Sequence, residues 1–366
     1  MQPESEIPFN KPFVPPLDEV TAKIRLAHDR AWFTNHGDFA KTLQQRLTDF
    51  AGGEPFLLTS NGTLALQLMI RAFGLNGKKV ATTPFSYVAT ASSLAWEGCT
   101  PVFIDIEKNG YNMCPESLVA GLEAHPDVAG ILPVHCFGFA CETERLQAIA
   151  DKHEIPLLYD AAHCSDVLHQ GKPLVTFGNA SAISLHATKY IHTIEGGGIY
   201  CSDERVIQRL RMMRNFGHDG PAHFSTLGIN AKMSEYHAAA GLVILDQIQS
   251  IRTQRRLLVD AYDECLGKSG LFRKKFPEGW NGAYMPVVFD SEDELLSMEE
   301  TLRTSGIGSR RYFYPALHQV AAIPSIVGTS VEEAESLASR ILCLPIHHYI
   351  TVGDVERIAH VMQSHR

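Results

Sequence analysis

One stretch of the chain, SAISLHATKYIHTIEGGGIY, contains residue types that could carry out covalent chemistry. It begins at Ser181 and includes Ser184, Lys189 and three successive glycines, Gly196 to Gly198. A lysine that follows an apolar strand is either a charge reaching for water or a nucleophile held near a reactive group. The stretch therefore indicates an amine nucleophile only if other segments supply matching groups.

Two other strand ends supply groups that would complement such an amine. In LLTSNGTLALQL, an apolar strand ends at Ser60 and a helix begins at once, so Gly62 and the unsatisfied N–H groups of the helix start could hold a phosphate. A capped helix after a tight turn explains this segment equally well. In IPLLYDAAH, Asp160 follows another apolar strand, where it could cap the next helix, bind a metal or face a cationic ring nitrogen. A metal would need further ligands, and beyond His163 the sequence offers no obvious companion, so no metal site is predicted.

The elements that must position these groups alternate between strands and helices from about residue 54 to residue 203. Apolar, β-branched runs alternate with segments whose apolar residues recur at helical spacing. This alternation predicts an α/β fold with a mostly parallel sheet covered on both faces, whose ligands gather at the carboxyl ends of the strands. The predicted strands are PFLLTS, KVATTP, TPVFIDI, VAGILPVH, IPLLYDAA, SAISLHA and GGIYCS, and the predicted helices are GTLALQLMIRAFGL, YVATASSLAWEG, PESLVAGLEAH and ETERLQAIADKH.

The pattern changes in the C-terminal third of the chain. The segment from Met233 to Gly267 keeps helical periodicity without a proline, so we expect one long connecting helix or two helices nearly in line. A strand (YMPVVFD), a helix (DELLSMEETLRTSG) and a closing helix after LPIHHYITVGD suffice for a small α/β domain. Because 366 residues exceed the usual size of one domain, we predict a large domain at 1–240 and a smaller one at 241–366.

Composition argues against several classes of protein. The 32 basic and 41 acidic residues give a net charge of −9, and no basic run is long enough to predict binding to nucleic acid or a membrane surface. The N-terminal MQPESEIPFNKPFVPPL resembles neither a signal peptide nor a membrane span, and no later stretch reaches spanning length. The eight cysteines are scattered without a CxxC pair, which is typical of buried thiols in a reducing compartment. We therefore expect a cytoplasmic protein.

A single cofactor would use the groups at these strand ends together. Pyridoxal phosphate requires a lysine for its Schiff base, a carboxylate that keeps its ring nitrogen protonated and a cradle for its phosphate. Lys189, Asp160 and the turn at Gly62 match these needs, with the hydroxyl of Ser184 at a neighbouring depth. The sequence therefore predicts a pyridoxal phosphate enzyme.

Two other classes of protein remain open at this point. A nucleotide-binding α/β protein could use the turn at Gly62 as its phosphate loop, but the chain lacks GxxxxGK[ST] and GxGxxG, and Lys189 and Asp160 would have no role. A regulatory or assembly protein could keep the fold without the chemistry, in which case loss of the lysine would be the first sign. A bound, yellow cofactor would distinguish the enzyme from both.

A series of motifs runs through nearly the whole chain, from TNHGDF at Thr34 to LPIHH at Leu344. Between these ends lie FLLTSNGTLAL, TPFSYVATA, VHCFG, YDAAH, SLHATK followed by EGGG, NAKMSE and YPALH. Together the motifs resemble those of the DegT/DnrJ/EryC1/StrS sugar aminotransferases, a branch of the fold-type I pyridoxal phosphate enzymes. The resemblance implies a large domain with a mostly parallel sheet flanked by helices and a smaller C-terminal α/β domain.

The resemblance also implies a role for each matching residue. Lys189 would form the Schiff base, Asp160 would pair with the ring nitrogen, and Tyr87 would stack on the ring. The glycines behind Lys189 would mark backbone that passes close to the cofactor or a partner chain, or simply a turn. The residues implied to hold the phosphate are Gly62, Thr63 and Ser184.

Asn230, in GINAKMSE, resembles the residue that reaches the same phosphate from a neighbouring subunit, which implies a homodimer with shared sites. The chain departs from most members at His163, where they have glutamine, and at Lys232, where they have arginine. His163 would lie near the cofactor's phenolic oxygen. This change is therefore expected to alter the reactivity of the cofactor more than the class of reaction. Some dehydratase relatives replace the lysine by histidine, so the presence of Lys189 favours transamination.

The substrates implied by the resemblance are glutamate as amino donor and a keto sugar linked to a nucleoside diphosphate as acceptor. RNFGHDG followed by GINAKMSE, with HATK and DAAH, is most similar to members that aminate dTDP-4-keto-6-deoxyglucose at C4. Members that aminate the isomeric 3-keto sugar or a UDP-linked sugar share much of this pattern. The residues expected to meet the sugar nucleotide are Thr34, Asn35, Tyr314 and His318, with Arg214 or Arg311 at the pyrophosphate, and a surface or packing role is the alternative for each.

Overall fold

The computed structural model describes residues 6–365 and is built around one mixed sheet. Its strands, in chain order, are β1 (Phe56–Thr59), β2 (Lys79–Thr82), β3 (Thr100–Phe103), β4 (Val128–Leu132), β5 (Leu158–Asp160), β6 (Leu168–His169), β7 (Lys172–Pro173), β8 (Ala180–Ser184), β9 (Gly197–Tyr200), β10 (Met285–Val288), β11 (Ile326–Val327) and β12 (Ile341–Leu344). The central sheet has the order β1, β9, β8, β5, β4, β2, β3, β11, and isolated parallel bridges join β4 to β5.

Strand direction in this sheet brings the predicted chemical groups to one edge. β9 runs antiparallel to both β1 and β8, and the other pairings of the central sheet are parallel. β1, β5 and β8 therefore point the same way. Because their carboxyl ends lie at a common edge, Asp160, Ser184 and the turn after β1 are neighbours in space.

The helices, in chain order, are α1 (Leu17–Asp29), α2 (Asp38–Phe50), α3 (Gly62–Ala72), α4 (Val88–Trp96), α5 (Pro115–Ala124), α6 (Thr143–Lys152), α7 (Glu204–Met213), α8 (Glu235–Asp246), α9 (Ile248–Leu266), α10 (Glu292–Thr304), α11 (Glu332–Arg340) and α12 (Val352–His365). The predicted α/β class is confirmed: the predicted strands correspond to β1 to β5, β8 and β9, and the predicted helices between them to α3 to α6. Four helices, α1, α2, α7 and α11, were not predicted from the sequence. None of the helices within residues 6–365 is both long and apolar enough to cross a membrane.

Successive side chains of the strands point to opposite faces of the sheet, and a hydrophobic core lies on each face. In β1, Phe56 and Leu58 join the core that contains Leu43 of α2, whereas Leu57 faces the opposite core with Met69 of α3. Successive side chains of a strand point to opposite faces, so a strand buried on both faces is apolar throughout. The continuous apolar run in FLL thus reflects a strand whose two faces are both covered by apolar side chains.

The long helical segment is interrupted at Gln247, which confirms the alternative of two successive helices. Leu245 and Ile251, on either side of the break, pack with the core of the central sheet. Leu258 in α9 belongs to a second core with β10, β12, α10 and α12, and Ile7 joins that core from the N-terminal segment. We therefore propose that the C-terminal domain begins within α9 and includes the segment at Ile7, whereas the boundary predicted at residue 240 stays a prediction.

The glycines behind Lys189 lie mostly in a strand. Gly197 and Gly198 begin β9 and are buried. A Cβ on Gly197 would lie 2.5 Å from the carbonyl carbon of Asn61 and from the backbone nitrogen of Gly62. The close approach that the glycines permit is therefore to the turn that opens α3.

Candidate active site

A cavity of about 380 Å³ opens at the carboxyl ends of β5 and β8. The turn before α3, the start of α4, the loop between β8 and β9, and the segment around residue 312 all contribute to its wall. The predicted cofactor residues at this cavity are Gly62, Thr63, Tyr87, Asp160, His163, Ser184 and Lys189. The structure brings these residues together, and their roles in binding a cofactor stay predictions.

Lys189 lies on the loop between β8 and β9. Backbone hydrogen bonds hold this loop, from Ala187 N to Ile194 O and from Lys189 N to His186 O. The Lys189 Nζ atom donates a hydrogen bond of 3.4 Å to the hydroxyl of Tyr284. Burial lowers the pKa of Lys189, and the nearby Asp160 opposes this shift. A lowered pKa increases the fraction of neutral amine, the form that acts as nucleophile or base.

Asp160 has a hydrogen-bond partner for each carboxylate oxygen. The Thr90 hydroxyl donates to Oδ2 at 2.7 Å, and the Ala162 N–H donates to Oδ1 at 3.1 Å. Ser86 Oγ lies 2.7 Å from Thr90 Oγ1, and because Thr90 gives its proton to Asp160, Ser86 is the donor of that pair. Burial raises the pKa of Asp160, whereas the bonds from Thr90 and Ala162 and the charge of Lys189 lower it. Ser86 and Thr90 were not predicted from the sequence, although their i, i+4 spacing around the start of α4 was a usable signal.

The turn before α3 combines a helix cap with free backbone donors. Asn61 Oδ1 accepts a hydrogen bond of 2.8 Å from Leu64 N, so the capped-helix interpretation is correct. Within residues 6–365, the N–H groups of Gly62 and Thr63 have no hydrogen-bond partner. A Cβ on Gly62 would lie 3.0 Å from the Cβ of Ser184. Free N–H groups at a helix start favour an anion, so the segment is suited to both roles.

His163 is buried and held in one tautomer. The Phe137 N–H donates a hydrogen bond of 3.1 Å to His163 Nδ1, so the ring proton of the neutral form is on Nε2. Burial and the charge of Lys189 hold the pKa of His163 well below its usual value. The neutral ring therefore presents an N–H donor at Nε2.

A second cavity, of about 560 Å³, adjoins the first. Tyr314 and Arg311, both predicted to meet the substrate, contribute to its wall. Arg311 forms an ion pair of 2.5 Å with Glu292, and its guanidinium lies 3.7 Å from the ring centroid of Tyr314. The residues shared by the two cavities are Ser86, Tyr87, Arg310, Tyr312 and Phe313. Arg310, Tyr312 and Phe313 were not predicted from the sequence, although they adjoin Arg311 and Tyr314.

Several predicted substrate residues line neither cavity. Arg214 is buried, and its guanidinium donates a hydrogen bond of 2.8 Å to the carbonyl of Leu58. The His318 ring lies 2.6 Å from the carboxylate of Glu335. These contacts agree with the alternative of packing roles for Arg214 and His318, and their predicted contacts with substrate stay predictions.

The remaining predicted residues lie on two exposed segments of the chain. These are the loop with Thr34 and Asn35, and the segment with Asn230. The buried Glu235 donates its N–H to the carbonyl of Phe33 and accepts hydrogen bonds from the N–H groups of Phe39 and Ala40 at the start of α2. Asn230 was predicted to act in a neighbouring subunit, so its position outside this chain's cavity agrees with that prediction without testing it.

The donor set of the first cavity fits pyridoxal phosphate. Free N–H groups at the start of α3 suit its phosphate, the aligned carboxylate of Asp160 suits a protonated ring nitrogen, and Lys189 supplies the amine. Tyr87, half exposed at the mouth of the cavity, offers an aromatic face.

Comparisons with known proteins identify the family of the chain. Residues 17–363 match the DegT/DnrJ/EryC1/StrS aminotransferase family. The chain is 33% identical over 370 residues to the dTDP-4-amino-4,6-dideoxy-D-glucose transaminase of Shigella dysenteriae, covering 99% of both proteins. It is 34% identical over 356 residues to the protein of the same name from Escherichia coli, covering 94% of each. Among solved structures, DesI in the presence of its TDP-sugar product is similar with a TM-score of 0.90 and 30% identity, over 99% of this chain and 93% of that one. With a family match over nearly its whole length, the chain belongs to the DegT/DnrJ/EryC1/StrS aminotransferases and is a sugar aminotransferase.

Proposed function

We propose that this sugar nucleotide aminotransferase uses pyridoxal phosphate to transfer the amino group of glutamate to C4 of dTDP-4-keto-6-deoxyglucose, giving dTDP-4-amino-4,6-dideoxyglucose. The observation that carries the proposal is the convergence of Lys189, Asp160 and the free N–H groups of α3 on one cavity. The choice of nucleotide and of carbon is supported by the names of two relatives at one-third identity.

The residues of the cavity would hold the cofactor at its two ends. The N–H groups of Gly62 and Thr63 and the hydroxyl of Ser184 would bind the phosphate, and Asp160 would bind the ring nitrogen. When bound, pyridoxal phosphate supplies a ring that withdraws electrons from the carbon bearing the amino group. Asp160 supports that withdrawal because its carboxylate, aligned by Thr90, keeps the ring nitrogen protonated.

Lys189 would move the proton in each half reaction. Its neutral Nζ would take the proton from the α-carbon of glutamate, carry it as the charged ammonium group and deliver it to a second carbon in the same site. The second half reaction would use the same atom in reverse, delivering the proton to C4 of the sugar. The lowered pKa of Lys189, caused by burial, suits an amine that must alternate between the neutral and charged forms.

The second cavity would take the nucleotide part of the acceptor. It adjoins the first, so a sugar held near Lys189 can extend its nucleoside diphosphate into it. Its wall combines the aromatic rings of Tyr312 and Tyr314 with the guanidinium of Arg311, a set suited to a base and an anionic linker.

A second copy of the chain would cover an apolar surface next to Asn230. Phe216, Phe224 and Leu227 expose 51%, 60% and 68% of their surface, an unusual grouping for large apolar side chains. Their closeness to Asn230 in the chain supports the proposed homodimer, in which Asn230 would reach the phosphate of the neighbouring subunit.

The purified protein and Lys189→Ala should be incubated with glutamate and dTDP-4-keto-6-deoxyglucose, and the product identified by mass and NMR. We expect a C4 amine from the unaltered protein alone. A C3 amine, or amination only of a 3-keto or UDP-linked sugar, would overturn the proposed substrate. No amination of any keto sugar would overturn the proposed reaction.

A further inference from the structure

Tyr284 brings a buried hydroxyl to the amine of Lys189. The Lys189 Nζ atom donates to the Tyr284 oxygen at 3.4 Å, and in the part of the chain that the structure describes Nζ has no other hydrogen bond and no ion pair. Among the same residues, the Tyr284 hydroxyl has no other hydrogen-bond partner either. Both side chains line the first cavity, so the amine and the hydroxyl face each other there without a competing protein group.

We propose that Tyr284 is a positioning residue, whose hydroxyl holds the free amine of Lys189 in the first cavity and stabilises it while it carries a proton. This inference rests on the proposed function, in which Nζ alternates between the neutral amine and the ammonium group. It assigns a role to a tyrosine directly before β10, a segment in which the sequence predicts no site residue.

A phenolic hydroxyl can bind both forms of the amine. Its oxygen accepts a proton from the ammonium group, and its O–H donates to the lone pair of the neutral amine. Burial raises the pKa of Tyr284, so the phenol keeps the proton that the second bond needs. Because a hydrogen bond to a charged group is stronger than one between neutral groups, the hydroxyl favours the ammonium form of Lys189.

The ammonium form needs this bond because the cavity is a poor environment for a charge. Burial lowers the pKa of Lys189. The opposing charge of Asp160 is held by hydrogen bonds from Thr90 and Ala162 rather than by one from Nζ. Tyr284 therefore supplies the hydrogen bond that a buried ammonium group requires.

The other titratable groups near Lys189 do not replace the hydroxyl of Tyr284. Those that act on the charge of Lys189 from a distance are Asp160, Cys164, Tyr87 and Tyr312, and His163 responds to that charge in turn. His186, Glu195 and Arg310 line the same cavity. Among residues 6–365, none of these groups forms a hydrogen bond with Nζ.

The ring of Tyr284 is held on several sides. Its centroid lies 4.9 Å from that of His163 and 5.6 Å from those of Phe137 and Tyr312. Packing of this kind restricts the side chain to one orientation. The hydroxyl therefore has a fixed position toward which the flexible lysine can be drawn.

Asn281 fixes the backbone from which Tyr284 extends. Its buried side chain accepts a hydrogen bond of 2.9 Å from the Ala283 N–H and donates to the carbonyls of His163 and Ser165, at 2.9 and 2.7 Å. These bonds connect the segment before β10 to the loop after β5. The hydroxyl of Tyr284 is thus placed relative to the cavity by contacts that do not involve the lysine.

The test measures the free amine in the full-length protein loaded with pyridoxamine phosphate, a form in which Lys189 has no covalent partner. Competitive labelling with acetic anhydride, quantified by peptide mass spectrometry against the exposed Lys268, reports the neutral fraction of Lys189 as a function of pH. We expect the profile of Tyr284→Phe to move to lower pH, with about 5-fold more labelling below its midpoint, because the bond that favours the ammonium form is lost. Tyr262→Phe removes another buried hydroxyl, which donates to the carbonyl of Pro345 at 2.7 Å, and should leave the profile in place.

The first half reaction supplies a second readout. In single turnovers with glutamate, the rate constant at saturating glutamate should fall about 10-fold in Tyr284→Phe, because the amine is no longer held in place. The glutamate concentration for half-saturation should change less than about 2-fold, since the hydroxyl orients the base and does not bind the donor.

Three results would overturn the inference. One is a labelling profile that stays in place in Tyr284→Phe, and another is a profile that moves to higher pH, as expected if the substitution merely admits water to the site. The third is a half reaction slowed only through weaker binding of glutamate. If the profile moves to lower pH but glutamate causes no half reaction even in the unaltered protein, the contact with Lys189 is supported and the proposed donor is overturned instead.

Discussion

Thr90 donates a hydrogen bond of 2.7 Å to Asp160 although 70 residues separate them in the chain. The bond joins α4 to the end of β5 at the wall of the cavity. Burial raises the pKa of Asp160, and the bond from Thr90 opposes that shift. Thr90 therefore acts as a positioning residue for the carboxylate proposed to bind the ring nitrogen.

Replacing Thr90 with valine should move the acid limb of the pH–rate profile to higher pH. Without the hydroxyl, the pKa of Asp160 rises further, so the carboxylate takes up a proton at a higher pH and loses its hold on the ring nitrogen. We expect kcat near neutral pH to fall about 10-fold, which corresponds to a rise of about 1.4 kcal/mol in the activation free energy. Thr90→Ser keeps the donor and should retain the original profile, and an unshifted profile in Thr90→Val would refute the role.

Because the folded protein keeps His163 neutral, its free energy of unfolding should fall in acid. The pKa of His163 is well below 6.5 in the folded protein because the side chain is buried, whereas the unfolded chain takes up the proton at about its ordinary value. The stabilising effect is therefore present above pH 6.5 and is lost as pH falls toward the folded pKa. Between pH 6.5 and 5.5 this one group should remove about 1 kcal/mol.

His163→Gln, which introduces the residue that the family resemblance implies at this position, removes that titration and supplies a side-chain amide donor. Urea unfolding at both pH values should show a smaller loss of stability in acid for this variant than for the unaltered protein. Equal losses in the two proteins would show that His163 is protonated in the folded state.

Gly197→Ala should damage the turn proposed to hold the phosphate. The added Cβ would meet backbone atoms of Asn61 and Gly62 at 2.5 Å, which no side-chain rotation relieves. We expect a loss of about 2 kcal/mol in stability and at least about a 10-fold weaker hold on pyridoxal phosphate, measured by equilibrium dialysis. In Gly353→Ala the nearest atom is 3.7 Å away, so that control should bind the cofactor normally.

Glu235→Ala should destabilise the protein by about 3 kcal/mol in chemical denaturation. It removes a buried carboxylate that accepts hydrogen bonds from Phe39 and Ala40 and thereby stabilises the start of α2. Glu19→Ala, at an exposed position in α1, should change stability by less than about 0.5 kcal/mol. A similar effect of the two substitutions would show that the cap contributes little.

Local pattern in the sequence determined the layered fold and part of the site. Apolar runs and helical spacing predict strands and helices because each depends on residues close in the chain. The same locality places Asp160 and Ser184 at strand ends, and a parallel sheet brings strand ends together without further information. The resemblance of the motifs predicted the family, and the match over residues 17–363 confirms that prediction.

Only the tertiary structure decided which side chains face the cavities. Arg310 and Arg311 are adjacent and chemically identical. Within residues 6–365, the guanidinium of Arg310 has no hydrogen bond or ion pair at the wall of the cavity that contains Lys189, whereas that of Arg311 is paired with Glu292. The Thr90–Asp160 bond and the burial of Arg214 likewise depend on partners far away in the chain. The sequence gives the type of each residue. Packing between distant segments creates its surroundings, and these determine its charge state and whether it can bind a ligand.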